Sequence, residues 1–272
     1  MQLKKKNIFW RLFTDKKTAI GMILVSVLII ITILAPLLAK HDPLAVDPAK
    51  KLLSPSIEYP FGTDQLGRCV FSRILWGARA SLGYSLCVII IAVSLGTMIG
   101  LISGYVGGRL DHIIMTLTNV FMSFPSTVLA LAIAGIFGPS IRNLIIALSC
   151  IWWTPYARLV RGMVLSAKKK DFVMVAYATG CSHRQVLINH ILRNILSPIV
   201  VIATMDIGSI IISIAGYSFI GLGAQPPMPE WGVMLNDAKG YIQTQPQLLL
   251  YPGIAIAYAV MSFNLLGEGL KT

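Results

Sequence analysis

Read for polarity alone, the chain is a series of long apolar runs separated by short charged segments. Residues 18–39, 80–108, 112–141 and 240–267 carry no Asp, Glu, Lys or Arg. Residues 194–229 carry a single acid, Asp206. A shorter run, 143–157, contains Pro155 and reaches a full crossing only by extending through Arg158 to Val160, with the arginine snorkelling at the boundary. A helix needs about 20 residues to cross roughly 30 Å of hydrocarbon. The pattern therefore predicts an all-α integral membrane protein with six transmembrane helices. The first run exceeds the apolar core of about 7–15 residues usual in a signal peptide, and no small-x-small site precedes Lys40. It reads as a retained helix.

Composition agrees. Of 272 residues, 56% are hydrophobic and only 12% charged, and the mean hydropathy is +0.75. A water-soluble surface needs about a quarter of the residues charged, so lipid is the solvent. The net charge of +12 raises nucleic acid as a partner. Its distribution excludes that, because the lysines and arginines sit at the ends of apolar runs and no basic stripe is interleaved with aromatics. The four cysteines form no CxxC pair, and no disulfide framework is expected.

Lysine and arginine also give orientation. With the N-terminus inside, the inner segments hold fifteen of them, including Lys4, Lys5, Lys6 and Arg11, and the outer segments hold eight. Both termini are expected in the cytoplasm. A cytoplasmic segment, 1–17, precedes one transmembrane domain, 18–272. That domain has two long outer loops, 40–79 and 216–245, and a cytoplasmic loop, 161–193. The outer loops are candidate contacts for an extracellular partner.

The cytoplasmic loop is the polar exception in a greasy chain. Asp171 is expected to cap a short helix over 172–179. Gly180 stands where a helix ends in a left-handed residue, a conformation open to glycine without steric cost. Ser182 with Gln185 three residues on forms a capping box for a second helix, from His183 through Ile191 towards Pro198. The first helix is expected to present Phe172, Val175, Ala176 and Thr179 on one side. From physics alone this is either a docking ledge or an ordinary loop lying on lipid headgroups.

The stretch from Lys168 to Pro198 resembles the EAA loop of binding-protein-dependent ABC importer permeases. Met174, Val175 and Ala176 stand at the E-A-A positions, and Gly180 stands at the glycine. His190, Ile191, Leu192, Arg193 and Asn194 stand at the family's HILPN tail. Met174 replaces the glutamate and Arg193 the proline. "FGTDQLGRCVFSRILWGARASL" (61–82), "GYVGGRLD" (104–111), "FPS" (124–126), "YARLVRG" (156–162) and "GLGAQPPMPEWGVML" (221–235) follow in family order. They resemble the dipeptide/oligopeptide/nickel branch, with Cys69 where an aspartate is usual. The resemblance implies the type I importer fold. It implies a second permease subunit as heterodimer partner, two ATPase subunits and an extracellular solute-binding protein, in the cytoplasmic membrane. It places ATPase coupling at Met174, Val175, Ala176, Gly180, Ser182, Gln185 and His190. It makes Asp64, Arg68, Glu230 and Trp231 candidate outer contacts for the binding protein. "ATMDIG" (203–208) and "EWGVMLNDAKGYIQTQP" (230–246) lean the cargo towards nickel, free or chelated, with di- and oligopeptides as the alternative.

Asp206 is the one acid inside an expected span. Such residues usually face a cavity or a partner, so Asp206 is placed on the translocation path or at the permease interface. The alternative is a polar pin to Ser209, Ser213 or a neighbouring helix. Phe124-Pro125 is expected to break or kink its span and free carbonyls, and the family resemblance implies that it lines the gate. Ser94, Gly96 and Gly100 are read as small residues for close helix packing. No metal site is expected: His41 and Asp42 are outer, His112, His183 and His190 are inner, and Met115 and Met122 read as packing. No G-x-x-x-x-G-K-[ST] occurs, so ATP and magnesium are expected on a partner subunit and no cofactor on this chain. No nucleophile, base and acid converge. The chain is read as a non-catalytic transport subunit. An autonomous secondary transporter and a membrane assembly subunit are the other classes considered.

Overall fold

The computed structural model describes residues 16–271, apart from the side chain of Ala134. The expected N-terminal segment, with Lys4, Lys5, Lys6 and Arg11, lies outside the described residues except for Lys16 and Lys17. The described residues are helical between their loops. Their one extended pairing is an isolated antiparallel bridge between Thr63 and Cys69. The helices are α1 (Lys16–Leu38), α2 (Val70–Val106), α3 (Gly108–Ser123), α4 (Ser126–Phe137) and α5 (Ile141–Ala167), then α6 (Asp171–Ala178), α7 (His183–Phe219), α8 (Trp231–Ala238) and α9 (Gln247–Lys271). Within α7, Val186–Leu192 takes the wider π pitch.

Among the described residues, α1, α2, α7 and α9 are each long and apolar enough to cross a membrane. A fifth crossing results if α3 and α4 form one broken span, bent by 87°. The break falls between Ser123 and Ser126, at Phe124-Pro125, as the sequence implied. Phe124 is extended, at φ −87° and ψ 137°, because a proline crowds a helical residue before it. α5 has 27 residues but carries Arg142, Arg158 and Arg161, and is not among the apolar crossings. The lipid-facing character is plain on α1, where Ile33 and Leu37 are 66% and 81% exposed. Patches of this kind are rare on soluble monomers.

Several boundaries move. α2 begins at Val70, so the first outer loop ends at residue 69 rather than 79. Arg73 sits inside the helix because two carboxylates neutralise it, as described below. α7 starts at His183, where the capped second helix was expected, runs unbroken into the span, and ends at Phe219 rather than 229. α9 starts at Gln247 rather than 240. The inner non-helical connections shrink to 168–170 and 179–182.

The chain folds as two compact units. The first takes residues up to Leu86, 134–144 and from Thr204 on. There α1 and α9 run antiparallel. Lys17 pairs with Glu268 at 3.2 Å, and the Tyr258 hydroxyl donates to the Leu24 carbonyl at 3.1 Å. The start of α1 and the end of α9 thus lie at the same end of the unit, as two termini on one side require. The second unit takes residues 87–133 and 145–203. There Gly96, Gly100 and Gly104 of α2 lie against Tyr156, Ala157, Val160 and Val164 of α5. Ser94 is exposed and does not join this seam.

A Cβ on Gly100 would stand 2.5 Å from the Ala157 carbonyl oxygen, while one on Gly162 would meet nothing within 4 Å. Gly100→Ala is therefore expected to lose about 1–3 kcal/mol from overpacking, and Gly162→Ala to lose none. Thermal unfolding of the purified protein in detergent checks this; equal midpoints would contradict the seam.

Candidate functional site

The stretch around Gly180 is built by local rules. Lys170 occupies the N-cap position of α6 and makes no side-chain cap. Asp171 is the first helical residue, not the cap expected of it. Its carboxylate in the first turn still favours the helix dipole. Val173 and Ala176 are buried, against the Val186–Leu192 segment of α7. Met174 and Val175 are 57% and 58% exposed. This corrects the expected ledge: Ala176 belongs to the inward row, and the outward row is Met174, Val175 and Ala178. The 3.6-residue period explains it, since 173 and 176 share one face and 174, 175 and 178 share another.

Gly180 ends α6 at φ +85°. Its N–H donates to the Tyr177 carbonyl at 3.0 Å, and the Cys181 N–H donates to Ala176 at 3.0 Å. These are the paired bonds of a Schellman cap. Ser182 then starts α7. Its N–H donates to Gln185 Oε1 at 2.8 Å, and its Oγ accepts the Gln185 N–H at 3.4 Å. Both halves of the expected capping box are present. Gly180, Ser182 and Gln185 are exposed, and His190 is half-buried in the π segment. The result is an eight-residue helix that exposes Met174, Val175 and Ala178, with the turn after it fixed by two caps.

Beside it, in the same unit, lies an open groove of about 610 Å³ lined by Arg158, Gly162, Met163, Lys170, Asn194 and Pro198, among others. Asp206, Phe124 and Pro125 do not line it. Phe124 and Pro125 are exposed at the helix break. Asp206 is half-buried in α7. Its neighbour Met205 packs against Gly267 of α9.

Two pairings went unnoticed in the sequence. Arg161 grips Asp111 through Nε and Nη2, at 2.5 and 2.6 Å, and the Ser103 hydroxyl donates to the same carboxylate. This joins "YARLVRG" to "GYVGGRLD". The Tyr105 hydroxyl meets both Tyr177 and His183. The motifs marked these positions; which residue met which required the fold.

The outer cluster lies in the first unit. Arg68 Nε donates to Asp64 Oδ2 at 2.7 Å, and Arg73 Nη1 donates to the same oxygen at 2.8 Å. Both arginines also reach Asp237 Oδ2, at 2.9 and 3.3 Å. Each guanidinium is 1% exposed. Asp64 Oδ1 further accepts the N–H groups of Leu66 and Arg68. Glu230 caps α8 through the N–H groups of Gly232 and Val233, each at 3.0 Å, and accepts from the Ser81 hydroxyl. Trp231 Nε1 donates to the Ile74 carbonyl at 3.1 Å. Asp64, Arg68, Glu230 and Trp231 are all buried. They were expected to face a binding protein; instead they pin the two outer loops to each other and to α2. A run of charged and aromatic residues in a loop reads as a contact surface until the partners are seen to come from the same chain.

Burial pushes the Glu230 carboxyl above its ordinary range, against the pull of the Gly232 and Val233 N–H groups. Burial raises Asp237 as well, opposed by Arg68 and reinforced by Asp64.

A family profile described as "Binding-protein-dependent transport system inner membrane component" matches residues 96–272. The chain belongs to that family. A second profile, the N-terminal transmembrane domain of oligopeptide transport permease C, matches residues 6–55. Among relatives, the dipeptide transport system permease protein of Alkalihalophilus pseudofirmus is 41% identical, over 98% of this chain and 88% of its own. The nickel transport system permease protein of Escherichia coli is 38% identical, over 93% and 91%. The glutathione transport system permease protein of Escherichia coli is 41% identical, over 97% and 88%. The relatives are permeases of ABC importers, and this chain is a multi-pass inner-membrane permease component of that type. The recognition drawn from "GTDQLGR", "YARLVRG" and the Gly180 turn therefore holds.

Asp64→Asn leaves two buried guanidiniums short of charge. It is expected to cost roughly 3–5 kcal/mol, whereas Glu58→Gln, at an exposed pair, costs under about 1 kcal/mol. Comparative thermal unfolding checks this, and equal losses would refute the outer pin. Because the folded Glu230 carboxyl is raised above its unfolded value, its contribution to stability falls as pH rises through the folded value and recovers on acidification. Glu230→Gln is expected to flatten that pH slope. An unchanged slope would show that Glu230 does not set it.

Proposed function

We propose that this chain is the non-catalytic permease half of an ATP-driven importer, and that α6 is the helix that docks in the ATPase subunit. The observation carrying this reading is the exposed pair Met174 and Val175 on a short helix capped at Gly180. An apolar pair on a polar inner surface suits a protein groove. In this reading α5 counts as the sixth crossing, both termini are cytoplasmic, and ATP with magnesium binds only to the ATPase subunits. A second permease and an extracellular binding protein complete the assembly. Transport proceeds by alternating access: nucleotide-driven closure of the ATPases binds one permease state better than the other and shifts the bundle between facings. Met174 offers no charge where the family pattern has glutamate, so the grip rests on shape and apolar contact. Asp206 and the Phe124-Pro125 break are read as lining the path or the permease interface.

For cargo, relatives named for dipeptide and glutathione transport match at least as closely as the one named for nickel, which favours a small peptide. Nickel, free or chelated, is the second reading, favoured by Asp206 and its "ATMDIG" setting.

Val175→Asp, at an exposed position, is expected to leave membrane insertion intact. It should abolish co-purification of the ATPase subunit and reduce ATP-driven uptake at least tenfold. Retained co-purification and uptake would overturn the docking reading. Uptake of labelled dipeptide and of radioactive nickel by a deletion strain separates the cargoes: loss of dipeptide uptake alone removes nickel, and loss of nickel uptake alone removes the peptide.

A further inference from the structure

We infer that Tyr105, at the end of α2, is a positioning residue that carries movement of the docking stretch into the helix bundle. This rests on the reading of α6 as the ATPase-docking helix. Tyr105 touches all three parts of that stretch. Its hydroxyl lies 2.6 Å from the Tyr177 hydroxyl of α6. It lies 2.9 Å from His183 Nδ1 and 3.1 Å from the His183 carbonyl, at the first turn of α7. Its backbone carbonyl accepts from Lys168 Nζ at 2.8 Å, in the link between α5 and α6. The same ammonium lies 5.4 Å from the Tyr105 ring centre.

The hydrogen bonds can all be satisfied at once. A carbonyl only accepts, so the Tyr105 hydroxyl donates to His183 O. Its oxygen then accepts from the Tyr177 hydroxyl and from an Nδ1–H of His183. One hydroxyl thus holds both sides of the Gly180 turn. The Tyr177 and His183 rings also meet edge to face, with centres 5.4 Å apart, and so do those of Tyr105 and His183, at 6.1 Å. Any displacement of α6 against α2 must stretch these bonds or move α2.

Each bond is exposed and worth only about 0.5–1.5 kcal/mol. The inference is therefore about geometry rather than stability. Lys168 binds a backbone carbonyl and a ring face, which Tyr105→Phe keeps, so that variant removes the hydroxyl contacts alone.

The test uses the full transporter in liposomes. Cargo imported per ATP hydrolysed is measured with whichever probe, labelled dipeptide or radioactive nickel ion, the wild type imports. Tyr105→Phe is expected to retain the ATPase subunit and its hydrolysis while import per ATP falls about tenfold. Tyr177→Phe should have a smaller effect, and the double variant should be no worse than Tyr105→Phe. An unchanged ratio in Tyr105→Phe, even with a lower unfolding midpoint, would make the cluster merely structural and overturn the inference. Absence of the ATPase subunit from the wild-type complex would overturn the docking reading instead.

Discussion

Lipid offers no hydrogen bond to a backbone amide, and that constraint governs this molecule. Every stretch at membrane depth must be helical or have its freed groups satisfied by protein. The polar interactions of the chain accordingly collect where helices end. Arg68 and Arg73 with Asp64 and Asp237 hold the outer connections. Arg161 with Asp111 holds the inner ends of α3 and α5 in the second unit. The Schellman turn at Gly180 and the Ser182–Gln185 box close the docking stretch.

The outer network shows how such a constraint can be misread from sequence. Asp64, Arg68, Glu230 and Trp231 in the outer loops look like a wet surface for a partner. Taking charges out of water is costly unless they are paired with good geometry and further hydrogen bonds. Here Asp64 receives two guanidiniums and two backbone N–H groups. The cluster is neutral in sum and closed on itself, which allows Arg73 to sit inside the first turn of α2.

Periodicity and caps were legible because they are local. The charge-free runs located α1, α2, α7 and α9, and Phe124-Pro125 located the break between α3 and α4. Gly180, Ser182 and Gln185 foretold their turn from three residue types at fixed spacing. Helix ends were less legible. Arg73 reads as a loop residue until Asp64 and Asp237 come within reach, whereas the start of α7 at His183 was legible from its capping box, and its π segment seats Val186 and Ile191 in the core. The facing of α6 depended on which side met α7, so Ala176 was placed outward when it lies inward. Long-range pairs such as Arg161 with Asp111, fifty residues apart, left no spacing to read.

The docking role proposed for α6 uses the same features. Its inner row, Val173 and Ala176, is buried against α7, its C-terminal end is capped at Gly180, and its outer row, Met174, Val175 and Ala178, is exposed and apolar. The most direct measurement is a cysteine cross-linking scan of α6 in the assembled transporter, with the native cysteines replaced. Met174→Cys, Val175→Cys and Ala178→Cys are predicted to join to the ATPase subunit, and Val173→Cys and Ala176→Cys to give no adduct. Adducts from the inner row alone, or from neither row, would contradict the account.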